Sequence, residues 1–195
     1  FVAAVLRERG HEVRQVFTSD DRDALRGLPR KLADTDGELV ELGEVDAGAL
    51  GRNLGKAYTD IPDPFGEADS YGAHFTELLR RDAERLGVDV EMISNTELYE
   101  TGEFDPVVRT VLENVEKTRE VLAKYQDGVD DSYVPFMATC GSCGKLTGTV
   151  TDIDLDAGTV EYVCEDLEAG NQTIEGCDHE GVATFREGKL PWRFE

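Results

Sequence analysis

Phe1-Val-Ala-Ala-Val-Leu-Arg-Glu-Arg-Gly10, followed by His11-Glu-Val-Arg-Gln-Val-Phe17, decides the fold class. The first ten residues read as the end of a helix stopped by glycine, the residue that most easily takes the left-handed backbone closing a helix. The next seven alternate, which is the period of a strand. Helix, glycine and strand, with an acidic loop directly after, make the second half of a β-α-β unit, whose strands run parallel. The first strand of that unit is expected just before Phe1. Both ends read as cut, so the chain is expected to be an internal piece of a larger α/β protein. Ligands of open α/β sheets sit beyond the carboxyl ends of the strands, which is where Ser19, Asp20 and Asp21 stand.

Outward from this unit, residues 32–57 are rich in Gly and Asp and read as an irregular insertion. Residues 69–87 have helical spacing, with Tyr71, Phe75, Leu78, Leu79 and Leu86 on one side and Asp69 or Ser70 as the cap. Residues 88–94 read as the next strand. Asp105-Pro106 places a capping Asp before a Pro at the first helical position, and a long helix is expected to run to about Tyr125. Residues 127–131 read as a turn and a module boundary. Beyond Ser132 the character changes to strands, at 133–139, 145–155, 159–163 and 182–186, with Asp156-Ala-Gly158 as a hairpin turn. The expected division is residues 1–130, 131–190 and a short return at 191–195.

Composition narrows the function classes. Asp and Glu total 42 against 20 Lys plus Arg, for a net charge of −22 spread along the whole chain. Such a scattered excess repels itself, and salt screens that repulsion. A salt-loving host is the expectation. The charge opposes broad nonspecific binding of nucleic acid, although the clusters Arg26, Arg30, Lys31 and Arg80, Arg81, Arg85 are local exceptions. With 39% hydrophobic residues a core is available. No apolar run is long enough to span a membrane, and a cytoplasmic location is expected. No GxxxxGK[ST] loop occurs in these residues, so P-loop chemistry is not expected.

All four cysteines lie in the last third. Cys140-Gly-Ser-Cys143-Gly is followed by Cys164 and then by Cys177-Asp-His179. A C-x-x-C turn puts two thiolates on one side of a cation, and a second pair across a hairpin completes a tetrahedron. The expected site is a structural Zn2+ held by Cys140, Cys143, Cys164 and Cys177, with His179 as the alternative fourth ligand. The other reading is four unligated thiols or two disulfides, and disulfides are uncommon in the cytosol. Residues 165–176 would have to fold back for this site to close. Asp63, Glu67 and His74, near the start of one helix, offer ligands for a second metal or, more plainly, a hydrogen-bonded histidine.

Taken together, these segments resemble the class I lysyl-tRNA synthetases of archaeal type. The resemblance runs from Leu6-Arg-Glu-Arg-Gly-His-Glu-Val-Arg14 through Ser19-Asp-Asp-Arg-Asp23, Asp63-Pro-Phe-Gly66, Ser70-Tyr-Gly-Ala-His-Phe75, Glu97-Leu-Tyr-Glu-Thr-Gly102, the C-x-x-C module, His179-Glu-Gly181 and Leu190-Pro-Trp-Arg193. It implies an α/β fold: a partial Rossmann-type catalytic domain with a helical insertion and an inserted β-rich zinc ribbon. It also implies ATP-dependent activation of lysine, with Mg2+, and its transfer to tRNA(Lys). Asp20 and Asp21 would then face the amino acid or the tRNA end. Asp63 and His74 match metal ligands of some family members, while Glu67 and Ala68 stand where a Cys and a His would be. Neither ATP signature of the family, HIGH-like or KMSKS-like, occurs here, so the chain is expected to be inactive by itself. The rival expectations are a class I synthetase for another amino acid, and a nonenzymatic zinc-ribbon module that binds nucleic acid or protein.

Overall fold

A computed structural model describes residues 1–126, 129–170 and 172–195. Helix α1 (Val2–Glu8) is followed by Gly10 at φ 82°, the left-handed backbone the sequence called for. Strand β1 (Val16–Ser19) begins later than the alternation predicts. Its partner decides this: β1 pairs only from Val16↔Glu91 to Ser19↔Ser94, so most of residues 11–17 has no ladder to join.

The insertion is more ordered than its composition suggests. Strands β2 (Lys31–Ala33) and β3 (Leu39–Glu41) form an antiparallel hairpin. Helix α2 (Ala47–Arg52) is capped by the Asp46 carboxylate, which accepts the Ala49 amide. Leu25, Leu32, Leu50 and Ile61 make a small core here, against Tyr71 and Phe75 of the next helix. That helix, α3 (Tyr71–Arg85), starts where Ser70 accepts the Ala73 amide. Strand β4 (Glu91–Ser94) then runs parallel to β1, the geometry of a β-α-β connection.

Helix α4 (Asn95–Thr101) closes on Gly102 at φ 83°. The long helix expected from Asp105 is two helices, α5 (Asp105–Glu113) and α6 (Val115–Leu122), broken at Asn114. The Asn114 amide side chain donates to the Thr110 carbonyl. Such local side-chain bonding competes with the helical ladder. Phe104, not Asp105, is the residue preceding α5. The turn expected over 127–131 lies partly outside the described residues.

Among the described residues, the last third carries eight short strands: β5 (Met137–Thr139), β6 (Leu146–Thr147), β7 (Val150–Asp154), β8 (Thr159–Val163), β9 (Leu167–Ala169), β10 (Gln172–Ile174), β11 (Glu180–Thr184) and β12 (Gly188–Lys189). They form sheets in the orders β12-β5-β6 and β11-β8-β7, plus the β9-β10 pair. The β7-β8 hairpin turns at residues 155–158, as the Asp-Ala-Gly signal predicts. The molecule is thus a mixed α/β fold of small sheets. Its largest core crosses residue 131, since Tyr99, Val108, Leu112 and Val115 pack with Phe136, Ala138, Tyr162 and Phe185. Burying each valine, leucine or phenylalanine of this core contributes roughly 1.5–3 kcal/mol.

Candidate functional site: an acidic cleft and a four-cysteine cluster

Because β1 and β4 run parallel, both carboxyl ends open on the same side, and Asp20 and Asp21 follow β1 there. They line a cleft of about 370 Å³ with Phe17, Tyr58, Tyr71 and Phe75. The two carboxylates differ. Asp21 is buried, and its side chain accepts the Thr96 amide at 2.9 Å, tying β1 to the first turn of α4. Asp20 is about half-exposed, with one oxygen 3.0 Å from the Lys189 ammonium. Gly72 faces the same wall, where an added Cβ would lie 3.3 Å from both Asp21 and Tyr58. The lining of the cleft therefore combines acidic residues with aromatic rings, which suits a small cation with an apolar stem.

Lys189 and Glu195 are the residues that reading the sequence missed. Lys189 is buried, and its ammonium meets Asp20, Asp23 and Glu195. The only trace in the sequence is a single lysine in Gly188-Lys-Leu-Pro191, whose partners at Asp20 and Asp23 are 169 and 166 residues away.

The cysteines converge. All four Sγ atoms lie within 4.8 Å of one another, with Cys140–Cys177 at 3.6 Å and Cys143–Cys164 at 3.7 Å. A zinc with about 2.3 Å bonds to four sulfurs at tetrahedral angles would space them about 3.8 Å apart. The donor set and spacing fit that ion. The described residues of 165–176 fold back, with β10 antiparallel to β9, and return the chain to Cys177. His179 is outside the cluster. Its ring sits edge-on to Tyr162, and its carbonyl accepts the Cys164 amide. Burial opposes ionisation of Cys140, but the amides of Cys143 and Ser142 and the neighbouring thiols bring it down to about 6. Burial pushes Cys143 and Cys164 upward. A bound dication would ionise all four.

Asp63 and His74 are brought together and fully buried, with His74 Nδ1 3.3 Å from the carboxylate. Asp63 also accepts the amides of Glu67 and Ala68, and His74 Nε2 lies 2.9 Å from the Ala33 carbonyl. Both ring nitrogens thus face protein acceptors. Glu67 turns away and accepts from Thr35. Among the described residues no third ligand joins this pair. Arg80, Arg81 and Arg85 pair with Glu77, Glu84 and Asp82 on their own helix, which is a solvated face.

A family model described as class I tRNA synthetases (K) matches residues 1–195. The chain is 72% identical over 195 residues to the lysine–tRNA ligase of Halobacterium salinarum, 70% to that of Natronomonas pharaonis and 69% to that of Haloarcula marismortui. In each case all of the chain is covered, and it spans 36% of the relative's length. No helix among the described residues is long and apolar enough to cross a membrane.

Proposed function

The chain belongs to the class I tRNA synthetase (K) family, and from that premise we propose that it serves a lysine–tRNA ligase, which activates lysine with ATP and Mg2+ and transfers it to tRNA(Lys). The acidic cleft is the observation that carries this reading. A lysine side chain is an ammonium on a four-carbon stem, and the cleft is lined by Asp20 together with Phe17, Tyr58, Tyr71 and Phe75. Its position beyond the carboxyl ends of parallel strands is the usual place for a ligand of an open α/β sheet. Residues 1–130 then belong to a Rossmann-type catalytic domain with a helical insertion. Residues 131–190 are its zinc-ribbon insert, and 191–195 return to the domain.

In this reading the four sulfurs of Cys140, Cys143, Cys164 and Cys177 hold a structural zinc. A shell of four protein ligands leaves no position open for substrate, so the ion maintains shape and does no chemistry. The module's place in the reaction is to help position the acceptor end of tRNA. Adenylate formation needs no covalent enzyme nucleophile; the protein orients lysine and stabilises developing charge. The cellular setting is the cytoplasm of a salt-loving host.

The test is lysine-dependent exchange of pyrophosphate into ATP by the full-length protein in molar KCl, followed by charging of tRNA. Exchange driven by lysine and by no other amino acid supports the reading. Exchange driven by a different amino acid, or none at all, sinks it.

A further inference from the structure

Lys189 occupies a position that burial alone would forbid. Its side chain is 1% exposed, yet its ammonium bonds Asp20 at 3.0 Å, Asp23, and Glu195 at 3.3 Å. Burial opposes the charge, but the bond to Asp23 and the charges of Glu195, Asp23 and Asp20 hold the ammonium above its ordinary value. Burial pushes Asp23 and Glu195 upward, and Lys189 offsets this in part. An ammonium presents three donors on one compact centre, which matches three carboxylates around it, two from the acidic turn and one from Glu195.

The contacts around this centre join three parts of the chain. Glu195 also accepts from the Tyr99 hydroxyl at 2.9 Å and from the Asn95 amide at 3.3 Å, both on α4. The same hydroxyl accepts the Leu190 amide at 2.7 Å. Arg22, in the acidic turn, donates to the carbonyls of Gly188 and Arg186. The strand leaving the four-cysteine module is thereby fastened to the turn that lines the cleft. One cation among three carboxylates leaves negative charge in excess, so Asp20 can still attract a cationic ligand.

We propose that Lys189 is a positioning residue for the cleft: its ammonium holds the turn bearing Asp20, Asp21 and Asp23 in the geometry that receives the substrate's ammonium. This rests on the reading of the cleft as a lysine site. It adds that the cleft takes shape only when β12 is docked on the turn.

The experiment uses the full-length protein in molar KCl, as Lys189→Met and Lys189→Arg. Metal content and circular dichroism establish folding. In Lys189→Met the KM for lysine in pyrophosphate exchange is expected to rise about tenfold or more, with the KM for ATP unchanged. Hydrogen exchange of the Asp23 and Leu25 amides is expected to quicken about tenfold, with α3 unaffected. Lys189→Arg should fall between, because it keeps the charge and alters the shape. Both changes are required. An altered KM with a quiet turn, a loosened turn with an unaltered KM, or no change in a folded variant each overturns the proposal. Should Lys189→Met fail to fold, Asp23→Asn removes one partner and is read by the same two measurements. Should the wild type show no lysine-dependent exchange, the reading of the cleft fails and the proposal that rests on it falls with it; lysine-dependent exchange by the wild type, with a quiet turn in Lys189→Met, overturns the proposal alone.

Discussion

At the scale of single residues, the buried pair Asp63–His74 and the close approach at Gly176 make the sharpest demands. Asp63 accepts the backbone amides of Phe65, Glu67 and Ala68 and faces His74 in a fully buried place. Removing it leaves donors without partners, and Asp63→Ala is expected to lower stability by about 3 kcal/mol in chemical unfolding at molar salt. An unchanged midpoint and slope would show that water replaces the carboxylate. At Gly176 an added Cβ would run into the Cys164 carbonyl and lie 2.7 Å from the Glu165 carbonyl oxygen. The backbone must move, and Cys177 moves with it. Gly176→Ala is expected to cost about 2 kcal/mol and to weaken metal binding, read by competition with a chromogenic chelator. Retained affinity would mean the loop absorbs the clash elsewhere. Such residues differ in how visible they are in sequence. The cysteines announce themselves by spacing, because two of them share one turn. Lys189 does not, because its partners at Asp20 and Asp23 sit near the other end of the chain.

At the scale of elements, local signals held where the cause was local. Ser70 caps α3 by accepting the Ala73 amide, and Asp156-Ala-Gly158 turns the β7-β8 hairpin. They misled where a partner chose the outcome. The strand expected at 11–17 shifted to Val16–Ser19 because β4 offers a ladder only there. The β9-β10 hairpin lies within 165–176, which has no clear strand period, and its strands are three residues each. That hairpin lies beside the sulfur cluster, buries Ile174, and is tied down by the Gln172 side chain, which donates to the Arg26 carbonyl, and by the Lys145 ammonium, which donates to the Glu175 carbonyl. Metal removal should therefore act on an element and not on the whole. After chelation of the full-length protein, limited proteolysis is expected to cut within residues 165–180 while α3 stays intact. Cutting spread evenly along the chain would mean the cluster supports the entire fold.

At the scale of the whole molecule, charge and exposed apolar surface dominate. A net charge of −22 on 195 residues repels itself at low ionic strength, and the Debye length shrinks from about 10 Å at 0.1 M to about 3 Å at 1 M salt. The melting temperature is expected to climb steadily from 0.1 M to 2 M KCl, and an equal rise in KCl and in a nonionic osmolyte would rule out screening as the cause. Phe1, just before α1, Val2 on α1, and Val16 and Phe17 on β1 are exposed, and α1 buries none of its residues. The chain on its own is therefore expected to self-associate in molar salt, as light scattering would register; a strictly monomeric chain would argue against these faces being sticky.

The fastening of the acidic turn to β12 has a consequence during synthesis. A ribosome adds on the order of 5–20 residues each second, and 169 residues separate Asp20 from Lys189. The carboxylates of the turn are thus made on the order of ten seconds before the ammonium that orders them. Through that interval the three carboxylates of the turn have Arg22 beside them in sequence but not Lys189, and dissolved cations of the cell must serve in its place.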